Sequence, residues 1–124
     1  MPANIEMIAR VCHEVNRALC EAFGDHSQKP WAEAEAWQRD ASRIGVTLTL
    51  AETNPIPKKA HEIWMKEKME NGWVYGPIKD GQLKTHPMLV LFEELPAHEK
   101  AKDYLRLAVI KTMKEIQDEC TVSG

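Results

Sequence analysis

The sequence predicts a mainly α domain, with about four helices and a short β-hairpin or extended loop between the last two. Apolar residues recur at steps of three and four along most of the chain, which is the period of an amphipathic helix. Turn-forming residues gather instead between residues 71 and 87, where a helix is not expected to continue. The length of 124 residues suits a single domain with a core of its own.

Two helices are predicted in the first half of the chain. Asn4 is suited to cap the first helix, whose apolar positions run to Phe23. The second helix is predicted to begin near Pro30, a residue that fits a first helical turn, and to end at Gly45. Residues 46–50 are compatible with either a strand or a continuation of this helix.

Two further helices are predicted on either side of the turn-rich segment. The third runs from Lys58 to Glu70, and Asn71-Gly72 ends it. The Asp80-Gly81 pair then favours a tight hairpin turn. The last helix opens around Pro96. Its buried side is predicted to carry Ala101, Tyr104, Leu105, Ala108, Met113 and Ile116.

We expect residues 1–57 to form an N-terminal helical segment that packs on a repeat unit of residues 58–120, in one compact domain. The formal net charge is −3, which argues against binding to nucleic acid. Residues 58–86 are an exception, because six lysines there outnumber four carboxylates. A small anion would therefore prefer this part of the chain.

Cysteine usage and hydropathy indicate where the protein works. Cys12, Cys20 and Cys120 lack the spacing of a zinc site or a disulfide framework, so we expect free thiols in a reducing compartment. The N-terminus lacks the pattern of a secretory signal, and no stretch reaches the ~20 apolar residues of a membrane span. These observations predict a cytoplasmic protein, in a bacterium or an infected host cell, with no membrane partner.

The motifs of common enzymes are missing from the sequence. His61-Glu62 could open the HExxH zinc motif, but Met65 stands where the second histidine would be needed. Glycine-rich phosphate loops and nucleophile elbows do not occur, and no pair of carboxylates is marked out for acid–base work. We therefore predict no catalytic residue, no metal site, no cofactor and no enzymatic activity.

The segment from residue 61 to residue 92 combines aromatic, basic and turn-forming residues, a mixture suited to a flat anionic ligand. Trp73 and Tyr75 could stack on its ring, and Gly76 could let the backbone approach closely. The full predicted ligand site is His61, Trp64, Trp73, Tyr75, Gly76, Lys79, Lys84 and His86. The alternative is that both tryptophans are core residues and the lysines are solvated.

Several uncommon residues recur in a fixed order in this region. They are His61-Glu62-Ile63-Trp64, Gly72-Trp73-Val74-Tyr75-Gly76-Pro77, Asp80, Lys84-Thr85-His86-Pro87, Leu89-Val90 and Glu94-Leu95-Pro96. This pattern resembles the RyR domain, the repeat named after the ryanodine receptor, in the short stand-alone form that bacteria and phages encode. The resemblance covers residues 58 to about 112.

The resemblance implies a helical, non-catalytic ligand-sensing module. Stand-alone prokaryotic RyR domains are linked by genomic context to nucleotide signalling and phage defence. We therefore expect a binding protein for a nucleotide or nucleotide-derived signalling molecule, acting in phage defence or counter-defence. In the receptor the repeats pair about a pseudo-two-fold axis, so a homodimer is also expected here.

Two alternatives to a ligand-binding protein remain open. The loop of residues 72–77 could be the surface of a protein–protein interaction module, because exposed aromatic side chains also anchor interfaces. An enzyme that acts on a nucleotide is the least favoured interpretation, since the sequence shows no set of residues suited to acid–base catalysis or to metal binding.

Overall fold

The computed structural model describes the backbone of residues 4–123 and the side chains of residues 4–120. Within that range the predicted mainly helical fold, with four helices and a small β element, is confirmed. The elements are α1 (Ile5–Ala22), α2 (Ala36–Leu50), α3 (Pro57–Glu70), β1 (Val74–Tyr75), β2 (Thr85–His86) and α4 (Ala97–Ser123). Short 3-10 turns, Trp31–Glu33 and Phe92–Glu94, precede α2 and α4.

Helix α1 begins where the sequence indicates. The Asn4 side chain accepts a hydrogen bond from the Met7 backbone N–H at 3.0 Å, which satisfies one of the free donors of the first turn. The apolar stripe buries Ile8 and Cys12. Phe23, its last predicted position, is exposed and lies against the His98 ring. The stripe therefore leaves the core at the end of the helix.

The predicted bounds of the second helix are wrong at both ends. Pro30 precedes a 3-10 turn, and α2 begins only at Ala36. The helix then continues through Gly45 to Leu50, so the open segment 46–50 is helical. Gly45 packs against the Arg106 guanidinium, so a Cβ at this position would displace the end of that side chain.

The segment between α3 and α4 differs from a simple two-residue hairpin. Strands β1 and β2 run parallel, with Val74 opposite Thr85. A separate antiparallel bridge joins Asp80 to Thr85, and it closes a turn over residues 81–84. The Asp80 carboxylate accepts the backbone N–H of Gln82 at 2.9 Å, which explains why the chain turns at this point.

The core lies between α1, α2 and α4. Ile8, Val46 and Ile110 are fully buried there, one from each helix. Helix α4 is rotated relative to the prediction. Leu107 and Ile110 face the interior, whereas Tyr104 is 60% exposed. Leu105, Ala108 and Ile116 are exposed as well. Burial of the predicted stripe is therefore wrong for most of its members.

The two ends of the fold meet. The backbone N–H of Asn4 donates to the Gln117 side-chain oxygen at 2.8 Å, which ties the start of α1 to the far end of α4. Helix α3 packs against α2 and α4 at the other end of the molecule. None of the helices that the structure describes is long and apolar enough to cross a bilayer.

Candidate functional site

A cavity of about 250 Å³ lies between the four helices and the β1–β2 segment. We call it the central cleft. The side chains that matter for its chemistry are Trp37, Trp64, Lys68, Lys79, His86 and Arg106. Helices, which hold side chains rigidly, contribute four of these six residues, so the cleft is largely preformed.

Lys68 is the most unusual group in the cleft. The residue is only 9% exposed, and its Nζ lies 4.8 Å from the ring centres of both Trp37 and Trp73. It forms no ion pair with any carboxylate in the described part of the chain. Burial lowers the pKa of this ammonium. A cation in this position is stabilised mainly by the faces of two aromatic rings.

The two rings beside Lys68 differ in exposure. Trp73 is buried, and its ring lies behind the ammonium without lining the cleft. Trp37 is 47% exposed and does line the cleft, with a ring centre 5.8 Å from that of Trp73. Trp37 therefore presents an accessible indole to anything that enters the cleft.

His86 is held in one tautomer. Its Nδ1 accepts the backbone N–H of Met88 at 3.1 Å, so in the neutral ring Nε2 carries the proton. Burial, with the positive charge of Lys79 next, lowers the pKa of His86 to about 4. The ring also meets Trp64 edge-on, with centres 4.9 Å apart. His86 is thus a neutral hydrogen-bond donor at the wall of the cleft.

His61 lies in the same wall of the cleft and connects elements of the fold. Its Nε2 donates to the Val90 carbonyl at 2.7 Å, and its ring stacks on Trp64. The other nitrogen, Nδ1, lies 3.6 Å from the Asp103 carboxylate. Burial raises the pKa of Asp103 to about 6. Both ring nitrogens therefore have neighbours, and the residue ties α3 to α4 and to the segment before it.

The cleft carries a small excess of positive charge. Four basic side chains line it, against three carboxylates. Lys102 is neutralised by Glu99 at 3.0 Å, and the Arg106 guanidinium donates to the Ser42 carbonyl at 3.5 Å. Lys68 and Lys79 make no ion pair with a described carboxylate, so these two ammonium groups remain for an incoming anion.

The structure separates the predicted site residues into two groups. His61, Trp64, Lys79 and His86 line the central cleft, and Trp73 stands directly behind Lys68. The other three predicted residues lie elsewhere. Tyr75 is 59% exposed on β1, and Gly76 packs beneath Thr85, where a Cβ would lie 2.6 Å from the Thr85 Cβ.

Lys84 has a local role. It adopts a left-handed backbone conformation, with φ of 57°, and its Nζ donates to the Asn71 carbonyl at 2.8 Å. That carbonyl belongs to the C-cap residue of α3, where a cation is favourable. The lysine therefore secures the end of a helix and lies outside the cleft.

Sequence reasoning missed several cleft residues. Lys68 follows Trp64 by one helical turn, so the period of α3 could have placed it on the same face. The predicted site does not include Trp37, and the proximity of this residue to Lys68 has no local signal in the sequence. Asp103 and Arg106 lie opposite the predicted apolar face of α4, on the side that also carries the buried Leu107 and Ile110.

A second groove lies on the outer side of α3, with a volume of about 580 Å³. It is more open than the central cleft and more apolar, since Met65, Met69, Leu91 and Phe92 contribute to its wall. Charged residues such as Lys58 and Glu93, which pair at 2.8 Å, border it. It offers few buried polar groups that could orient a small ligand.

A family model describes most of this architecture. The model for the RyR domain matches residues 39–119 of the chain. The chain belongs to the RyR domain family. The match begins inside α2, well before residue 58, and takes in α3, the two strands and almost all of α4.

The central cleft extends beyond the part of the RyR domain that the family model covers. Trp64, Lys68 and His86 lie inside the matched span, whereas Trp37 precedes it. Residues of α1 also reach the cleft, among them His13 and Asn16. In this RyR domain, part of the wall is thus built by the segment that comes before residue 39.

Proposed function

We propose that this RyR domain is a non-catalytic protein that binds a small anionic ligand with a flat aromatic ring, of the nucleotide type, in the central cleft. The observation that carries the proposal is the environment of Lys68, a buried lysine whose ammonium lies over two neighbouring indole rings and pairs with no carboxylate of the described residues. Burial of an unpaired charge is unfavourable, and the arrival of an anion would offset that cost.

The aromatic residues support a ring-shaped ligand. Trp37 and Trp64 both line the cleft. Stacking of a nucleobase on an aromatic side chain contributes roughly 1–3 kcal/mol. Lys68 and Lys79 would meet the phosphate, and the Nε2–H of His86 would donate to a ligand oxygen or ring nitrogen.

The size of the cleft favours a mononucleotide. Its volume of about 250 Å³ is at or below the ~300–1,000 Å³ of pockets for drug-sized molecules. A cyclic dinucleotide is about twice the size of a mononucleotide and would extend beyond the cleft. We infer that the ligand carries one base and one phosphate-bearing arm.

A binding role without catalysis is consistent with the histidines of the cleft. His61 uses Nε2 on the Val90 carbonyl and has Asp103 beside Nδ1, and His86 accepts a backbone N–H through Nδ1. Such fixed rings are suited to hold a ligand and are poorly placed to shuttle protons to it. The proposed biological role is to sense or sequester a signalling nucleotide in the cytoplasm during phage defence or counter-defence, as the resemblance to stand-alone RyR domains suggests.

Thermal unfolding and calorimetry with a panel of nucleoside monophosphates and cyclic dinucleotides test the proposal. A bound ligand at one hundred times its Kd stabilises the folded state by ~2.7 kcal/mol. We expect such a shift with at least one monophosphate. Lys68→Met and Trp37→Leu should abolish it, and Lys84→Met, which removes the same charge outside the cleft, should retain it. A flat profile across the panel, or equal loss in all three variants, would contradict the proposal.

A second candidate function is protein interaction through the loop after α3. Val74, Tyr75, Ile78 and Leu83 are all more than half exposed, an unusual density of apolar surface for one short segment. The partner could be another protein or a second copy of this chain. Native mass spectrometry at several concentrations, with a Tyr75→Ser and Ile78→Ser double variant as control, distinguishes this function from ligand binding.

A further inference from the structure

We propose that three side-chain amides, Asn16, Gln28 and Gln38, read the hydrogen-bonding edge of the ligand's ring and so determine which base the central cleft accepts. This inference rests on the proposed function, and it assigns selectivity to residues that precede the span matched by the family model. Asn16 lies on α1, Gln28 in the connection after α1, and Gln38 in the first turn of α2.

The three amides share one cavity. All of them line the central cleft, and all are neither fully buried nor fully exposed. Gln38 Nε2 donates to Gln28 Oε1 at 3.2 Å, which orients both side chains. The Gln28 amide nitrogen and the Gln38 amide oxygen then have no partner among the described residues. The Asn16 amide also lacks one, so the wall offers both donors and acceptors.

An amide suits base recognition because it presents a donor beside an acceptor. The edge of a nucleobase carries the same kind of pattern, and Asn and Gln pair with adenine through two hydrogen bonds. The lysines of the cleft cannot supply this discrimination, because an ammonium attracts any phosphate to a similar degree. The division resembles nucleic-acid recognition, where phosphate contacts provide position and base contacts provide specificity.

The three amides are partly buried, so a mismatch with the ligand is costly there. A polar group that loses water without gaining a hydrogen-bond partner is destabilising. A ligand whose ring edge does not match these amides is therefore expected to bind more weakly. The penalty would not depend on the phosphate. Two chains that share the matched RyR span but differ in the preceding segment are therefore expected to bind different rings.

Calorimetry with AMP, GMP, CMP, UMP and purine riboside 5′-monophosphate tests the inference. The last probe keeps the shape of AMP but lacks the exocyclic amine. We expect a difference of roughly tenfold in Kd between the best and the worst base, whichever base is best. Gln38→Met, which preserves side-chain length, should reduce that difference to about twofold. Lys79→Met should weaken all probes by a similar factor and keep the preference.

The outcomes separate the two proposals. A wild-type protein that binds the monophosphates without preference, or a preference unchanged in both Gln38→Met and Asn16→Ser, overturns the amide assignment alone. Failure of every monophosphate to bind the wild-type protein overturns the proposed function itself. Thermal unfolding without ligand checks that each variant is folded. If Gln38→Met does not fold, Asn16→Ser alone decides the question.

Discussion

Lys68 Nζ lies 4.8 Å from the ring centre of Trp37, although the two residues belong to different helices. The contact joins α3, inside the RyR span, to the first turn of α2, outside it. Because the ammonium is largely buried and no described carboxylate pairs with it, the free protein keeps a charge in an unfavourable place. Such a cost is typical of a group retained for binding.

Replacement of Lys68 by methionine is expected to stabilise the unliganded protein. Burial lowers the pKa of this lysine, so the folded state disfavours its charged form. Methionine fills the same space without charge, and we expect the free energy of unfolding to rise by about 1 kcal/mol. Urea denaturation measures it. Lys84→Met should have the opposite effect, since it removes a hydrogen bond at the end of α3. A clear loss of stability in Lys68→Met would contradict the prediction.

The stability of an Asp103→Asn variant should fall more steeply with acidification than that of the wild type. Burial lowers the pKa of His86 from 6.5 to about 4, so the unfolded chain takes up a proton first and acid destabilises the fold through this residue. Asp103 opposes this effect. Burial raises its pKa from 3.8 to about 6, so the folded protein takes up the proton first and gains stability as the pH falls.

Removal of the Asp103 carboxyl leaves the His86 effect unopposed between pH 6 and pH 4. One extra proton can change the slope by at most ~1.4 kcal/mol per pH unit. Thermal unfolding between pH 7 and pH 4.5 measures the difference. A His86→Asn variant is the matched test, because its stability should fall less steeply with acidification than that of the wild type. Parallel curves for wild type and Asp103→Asn would show that the carboxyl does not titrate in this interval.

Gly76→Ala is expected to destabilise the protein, whereas Gly81→Ala is not. A Cβ at position 76 would lie 2.6 Å from the Thr85 Cβ, so strands β1 and β2 would have to separate. Overpacking of this kind costs typically ~1–3 kcal/mol. Gly81 has nothing within 4 Å of its would-be Cβ and is a control from the same loop. Chemical denaturation compares the two, and equal effects would refute the steric explanation.

The orientation of α4 can be tested with two isoleucines. Ile110 is fully buried and Ile116 is 47% exposed, although only the latter belonged to the predicted stripe. Ile110→Ala should cost ~2–5 kcal/mol of unfolding free energy, and Ile116→Ala well under 1 kcal/mol. The reverse order would mean that α4 presents its other face to the core.

The sequence was informative wherever a local pattern decides the structure. The Asn4 cap, the helix before Asn71-Gly72 and the turn at Asp80 follow from neighbouring residues. The motifs around Trp64 identified the family in the same way. These features depend on capping, periodicity and turn chemistry, which operate within a few residues of the chain.

The failures have a common cause, which is contact between distant segments. Gly45 resembled a helix end, but it lies inside α2, where it packs against Arg106 of α4. The apolar stripe of α4 was misplaced because Asp103 and Arg106 turn toward a polar cleft. The association of Trp37 with Lys68 likewise depends on how two helices pack, and no spacing in the sequence encodes it.

The hydrogen bond between Asn4 and Gln117 makes this fold a natural candidate for circular permutation. Because the start of α1 contacts the last turns of α4, a short linker between these two helices would join them within the domain. New ends of the domain could then be placed in the exposed stretch 24–27, which contributes no side chain to the buried core. In such a circularly permuted protein, α1 would follow α4 directly during synthesis. The order in which the helices fold could then change, while the contacts of the folded state would stay the same.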